Sequence, residues 1–139
     1  MNFGYYKCDM DTGEITKVAD RITKENVEKI AALFGKSRRV ALDFVEFEHP
    51  ELGPFKIEIS TVFLVLDHSW EDGPPLLFET MVFCDSDHEK LRSLRWADID
   101  MQRYATLEEA REGHAQMVDF VRDLEIPPID LLLLSSDQD

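Results

Sequence analysis

Two near-continuous apolar runs constrain this chain most: Ile57 to Leu66 (IEISTVFLVL) and Leu76 to Cys84 (LLFETMVFC), joined by Asp67 to Pro75 (DHSWEDGPP). Both are rich in β-branched and aromatic residues, which suit strands, and both fall well short of the ~18–20 apolar residues of a membrane span. In the first, Phe55, Ile57, Ile59, Thr61, Phe63 and Val65 share one face. The other face begins Lys56, Glu58, Ser60 and becomes Val62, Leu64, Leu66. A strand of that kind starts half-exposed and ends covered on both sides. The preceding segment, Arg39 to Glu48 (RVALDFVEFE), offers Val40, Leu42 and Phe44 as its apolar positions, and the parity slip toward Phe47 implies a bulge. Turn residues at His49, Pro50, Gly53 and Pro54 follow it. Residues 39–84 therefore read as an antiparallel meander.

Helices flank the meander. Thr106-Leu-Glu-Glu109 is a capping box: a hydroxyl at the cap and a carboxylate three residues on satisfy the first free amides of a helix. Leu107, Ala110, His114, Met117, Val118, Val121 and Leu124 follow at helical spacing, so a helix is predicted over 107–124, ended by Pro127 and Pro128. A shorter helix is predicted over 24–34, with Thr23 as cap, an apolar stripe at Ile22, Val27, Ile30, Ala31, Leu33 and Phe34, and Gly35 just past its end. At the N-terminus, Asn2–Lys7 and Glu14–Val18 flank Asp11-Thr12-Gly13 as a hairpin. The expected fold is α+β: an antiparallel sheet of four to six strands with both helices packed on it, in a single domain spanning 1–139. Residues 127–139 form an appended tail in which Ile129–Leu134 is either a last strand or a docking peptide.

Charge narrows the function. Fifteen Lys and Arg face 29 Asp and Glu, a formal net charge of −14. Such a chain repels phosphate backbones, so direct nucleic-acid binding is not expected, and Lys36-Ser37-Arg38-Arg39 is its one dense basic run. The same charge suits a partner with a basic groove. Cys8 and Cys84 lack metal-type spacing, and two thiols in a chain of this size fit a reducing cytosol. The N-terminus lacks the pattern of a signal peptide, so a cytoplasmic, non-membrane protein is expected. The oligomeric state is left open.

Phosphate-binding loops, dinucleotide turns, nucleophile elbows and HExxH helices are absent from the sequence. Three places stand out instead. His68 and Trp70, beside Asp67, Glu71 and Asp72, occupy the loop between the two apolar runs; either the Trp covers a sheet edge, or it anchors a recognition loop. Glu79 sits among apolar residues, where a carboxylate needs a partner such as Arg103, Arg95 or Tyr104, or else lines a pocket. His114 lies on the apolar stripe of the long helix, the usual place of a hydrogen-bonded core histidine. Were the helix to pack over the hairpin, His68, Glu79 and His114 could converge as a zinc or iron set. No cofactor is otherwise implied.

The segments Ser60 to His68 (STVFLVLDH), Pro75 to Phe83 (PLLFETMVF) and Arg103 to His114 (RYATLEEAREGH) together resemble a family of small uncharacterised proteins encoded by bacteriophages and prophages. Its pattern is S-T-V-aromatic-L-G-L-D-H, a Gly/Pro loop, P-L-hydrophobic-F-E-T-M-V-F and R-Y-S/T-T-x-E-E-A-x-x-G-H. The resemblance covers most of Ile57–Val121. It departs at Val65, where a glycine is usual, and in the longer acidic excursion Asp85–Gln102. It implies a phage origin, a place in the cytoplasm of the bacterial host, and importance of the positions of His68, Glu79, Thr80, Tyr104 and His114, in either a structural or a chemical role.

The first expectation is thus an acidic accessory protein that binds and inhibits a bacterial host protein with a basic surface. A CRISPR effector or another defence nuclease is the form expected, which would make the chain an anti-CRISPR or nuclease inhibitor, with acids at Glu46–Glu51, Glu71–Asp72 and Asp85–Glu89 and anchors at Trp70 or Trp96. The alternatives are a small enzyme or ligand-binding protein built on His68, Glu79 and His114, and a structural or regulatory phage protein.

Overall fold

The computed structural model describes residues 4–51, 53–67, 69, 73–85 and 102–124. In chain order these give β1 (Tyr5–Cys8), β2 (Ile15–Ala19), α1 (Val27–Gly35), β3 (Arg39–His49), β4 (Gly53–Phe63), β5 (Phe78–Asp85), β6 (Gln102–Tyr104) and α2 (Leu107–Arg122). β1 and β2 form a hairpin, and β3-β4-β5-β6 form a four-stranded sheet in which every pairing is antiparallel. The fold is α+β, with the C-terminal helix where the capping box places it. Among the described residues no helix is long and apolar enough to cross a membrane.

Register explains the core. Ile57 lies between Val45 and Cys84, and Ile59 between Asp43 and Val82. Val45, Phe55, Ile57, Ile59 and Val82 therefore share the face that α2 covers with Met117, Val118 and Val121. Covering a side chain of this size contributes about 1.5–3 kcal/mol, so this row dominates the stability of the sheet–helix layer. The helix begins as expected: Thr106 Oγ1 accepts from the Glu109 amide at 3.1 Å and donates to Glu109 Oε1 at 3.0 Å.

On β3 the buried face is the opposite of the expected one. Register runs unbroken from Ala41 to His49, and the irregularity lies between Arg39 and Ala41, so no bulge separates Phe44 from Phe47. Phe44 is 47% exposed on the outer face, while Val45 is buried and Phe47 stacks on Phe55 at 5.5 Å. Asp43 caused the misreading. It stands on the helix side because α2 supplies a partner for it, and so breaks the apolar alternation of the true core row.

Helix α1 is shorter than expected and starts at Val27. Thr23 and Asn26 cap one another ahead of it: the Asn26 amide donates to Thr23 Oγ1 at 3.2 Å, and the Thr23 amide to Asn26 Oδ1 at 2.7 Å. Of the predicted stripe, Ile30 is buried and Leu33 is partly packed near Phe63, whereas Ile22, Val27 and Phe34 are exposed. Gly35 remains helical, with no left-handed turn.

The β1–β2 hairpin closes on Asp9, whose Oδ1 accepts from the amides of Asp11 and Thr12, with Gly13 at φ 80°. It docks on the chain leaving β4: the Tyr6 amide donates to the Val65 carbonyl at 2.8 Å, and the Asp67 amide to the Gly4 carbonyl at 3.1 Å. Between these contacts the backbone reverses tightly. Val65 has φ 69°, and the Leu66 amide donates to the Leu64 carbonyl at 2.8 Å, a γ-turn with positive central φ. That conformation costs an L-residue about 1–2 kcal/mol. Val65 is nonetheless fully buried, within the cluster of Phe63, Leu77, Phe78, Leu107 and Ala110.

This geometry sets an order of stabilities. At an ordinary buried strand position glycine is about 0.5–1 kcal/mol worse than alanine. At Val65 the order should vanish or invert, because V65G relieves the turn and V65A does not. Urea titration of both variants checks this; V65G falling about 1 kcal/mol or more below V65A would contradict the assignment.

Candidate functional site

The polar heart of the molecule lies between the sheet and α2. Thr61 and Thr80 are direct cross-strand partners on β4 and β5, so their hydroxyls meet at 2.5 Å. His114 projects from α2 onto this pair, with Nδ1 at 2.7 Å from Thr61 Oγ1 and Nε2 at 2.8 Å from Asp43 Oδ2 on β3. Because a carboxylate accepts, Nε2–H donates to Asp43; in the neutral ring Nδ1 then accepts from Thr61, whose oxygen is left to accept from Thr80. One chain of hydrogen bonds thus crosses three strands and the helix.

Carboxylate, imidazole and hydroxyl in series is the arrangement that activates an oxygen nucleophile. Burial argues for a different use here. Thr61 and Thr80 are 0% exposed and His114 is 4% exposed, and the clefts beside Tyr104 and beside Cys8 are lined by other residues. Among the described residues, a substrate has no approach to Thr61 through either cleft. The hydrogen-bond chain instead satisfies three buried polar groups, Thr61, Thr80 and His114, ends on the exposed carboxylate of Asp43 at the sheet edge, and fixes the rotation of α2 over the sheet.

Glu79 belongs to the other side. Its sequence neighbour Thr80 faces α2, so alternation turns Glu79 to the outer face. There it meets Arg103, its direct partner on β6, with Nε–Oε2 at 2.9 Å. Of the partners open to Glu79, the structure uses Arg103. The sheet therefore separates Glu79 from His114, so these two do not meet as the alternative metal or pocket set of His68, Glu79 and His114 would require. His68 lies outside the described residues, as do Trp70, Glu71, Asp72 and Trp96. Among the described residues no group of three or more His, Cys, Asp or Glu is placed to hold a metal ion.

Tyr104 comes to the same helix by a different route. Its ring lies against Gly113, so closely that a Cβ there would stand 2.2 Å from the ring and the hydroxyl. The hydroxyl is buried without a hydrogen-bond partner among the described residues, beside a cleft of about 280 Å³ lined by Gln102, Gln116, Met117 and Phe120. A second cleft, about 340 Å³, lies between the hairpin and the start of β3, with Lys7, Cys8, Lys36 and Arg38 around it. The Cys8 thiol is a poor nucleophile: burial first, then Asp9, raise its pKa, with Arg111 opposing.

Sequence reasoning missed Asp43, Thr61, Asp67 and Gly113. Thr61 was legible, since it shares parity with Ile57 and Ile59. Asp67 is a buried carboxylate that ties Ser69 to Leu76. Oδ1 accepts from the Ser69 amide at 2.8 Å and the Leu76 amide at 3.0 Å, and Oδ2 from Ser69 Oγ at 3.0 Å.

Two substitutions test these roles. Thr61→Val keeps shape and strands two buried partners, and should cost about 1–3 kcal/mol of stability in denaturant titration. Gly113→Ala should destabilise by a similar about 1–3 kcal/mol through overpacking on Tyr104, although alanine favours helices. A neutral or stabilising result for either would show that its contact does not hold the layer together.

Compared with protein-family models, with curated proteins and with solved structures, the chain has no significant match.

Proposed function

We propose that this chain is a phage-encoded accessory protein that binds and inhibits a bacterial host protein with a basic, nucleic-acid-handling surface. It would act as a counter-defence factor of the anti-CRISPR or nuclease-inhibitor kind, in the host cytoplasm. The observation that carries the reading is where charge and chemistry lie. In a chain of net charge −14 most of the described acids are exposed, while the imidazole, hydroxyl and carboxylate groups able to do chemistry on the sheet are engaged in holding the layers together.

Among the described residues the expected acidic patch at the end of the β3–β4 hairpin is at the surface, with Glu46, Glu48 and Glu51 exposed. The other two acidic patches and both tryptophan anchors lie outside the described residues, apart from the strand-end backbone of Asp85. Anionic side chains on a firm sheet end can stand in for phosphates in a basic groove, which favours rapid, steered association. Phage origin rests on the resemblance of the three motifs.

The purified chain, used as bait in host lysate, should retain a basic nucleic-acid-handling protein that elutes as salt rises, and should lower that protein's nuclease or nucleic-acid-binding activity. A partner held equally well at high salt, or bound without loss of its activity, would contradict the reading.

A further inference from the structure

The four-stranded sheet ends on β3, an eleven-residue strand whose far side meets no other strand among the described residues. An open edge of this length presents a row of backbone donors and acceptors, and proteins ordinarily shorten, cover or charge such edges. Here the side chains grade along the strand. On the outer face Leu42 is followed by exposed Phe44 and then by Glu46 and Glu48, with the Lys56 ammonium of β4 over the Phe44 ring at 5.9 Å. On the helix side Asp43 is committed to His114. From Val40 to Glu48 the strand carries no cation.

We propose that the β3 edge is where the partner binds, by adding a strand of its own to the sheet. This inference rests on the reading of the chain as an acidic binder and names the surface that reading requires. Backbone hydrogen bonds along the edge supply affinity without sequence preference, and alternate side chains supply specificity. The added strand places apolar residues beside Leu42 and Phe44 and Lys or Arg beside Glu46 and Glu48, because directly opposed unlike charges stabilise a strand pair and like charges oppose it. A second copy of this chain is a poor occupant. Between Val40 and Glu48 its β3 carries only acids and apolar residues, which leaves Arg39 at the strand's start as its one Lys or Arg to set against Glu46 and Glu48.

The test uses the full chain and a synthetic peptide of about nine residues, matched to strand length, whose one face carries two valines and then two lysines at alternate positions with threonine between them, so that the valines face Leu42 and Phe44 and the lysines face Glu46 and Glu48. Amide hydrogen exchange should slow on alternate residues of β3 and nowhere else. The double variant E46K/E48K should bind the peptide about tenfold more weakly, and a peptide with glutamate in place of lysine should regain that loss on the variant. Peptide binding without β3 protection, or unchanged affinity in the double variant, overturns the inference, as does no binding of either peptide. Dimers of the free chain in sedimentation, lost in E46K/E48K, would overturn it by assigning the edge to self-association. If the lysate partner is captured equally by the wild type and the double variant, the edge assignment fails and the acidic-binder reading survives. If the peptide protects β3 while no partner is captured, the reverse holds.

Discussion

His114 is held from two sides, by Asp43 on the edge strand and by Thr61 on the central strand, with Thr80 completing the chain on the next. Apolar burial of Met117, Val118 and Val121 is non-directional and does not by itself fix the rotation of α2. The hydrogen-bond chain removes that freedom. Its members lie on three strands and one helix and are satisfied together in one register. Three further features of the fold depend on it: which face of β3 is buried, the outward turn of Glu79 toward Arg103, and the angle at which Gly113 admits the Tyr104 ring.

The same placement gives a physical account of the three motifs Ser60–His68, Pro75–Phe83 and Arg103–His114, on which the proposed phage origin rests. Thr61, Thr80 and His114 form the brace, Asp67 ties Ser69 to Leu76, Glu79 and Arg103 pair across the outer face, and Gly113 receives Tyr104. The glycine usual at position 65 also has a reason, since the backbone there adopts φ 69° and the present chain puts a valine in a conformation that favours glycine. On this account the shared motifs describe a way of fastening a helix to a sheet.

How much of this could be read from the residues depended on the kind of signal each segment carries. The long helix was plain because a capping box and a helical stripe agree. The meander was plain because apolar runs of strand length alternate with turn residues. The face of β3 was misread because Asp43, a polar residue on the core side, mimics a parity slip, and nothing local reveals that its partner lies 71 residues away on another element. The stripe of α1 was overvalued for the opposite reason. Apolar spacing shows that a helix could be covered, not that the chain covers it, and Val27 and Phe34 stay exposed. At the site, a buried histidine and a paired glutamate were foreseen singly. Their separation by the sheet is a matter of adjacency: Glu79 and Thr80 must face opposite ways, and once Thr80 meets Thr61 under His114, Glu79 cannot.

The central claim is that His114 is a fixed, water-excluded brace. The most direct measurement is the nitrogen and proton resonances of its imidazole, observed in the folded chain. A brace of this kind should show a resolved Nε2 proton, shifted by its bond to the Asp43 carboxylate and slow to exchange with water. An imidazole whose ring protons exchange too fast to be seen, with averaged nitrogen shifts like those of a surface histidine, would contradict it.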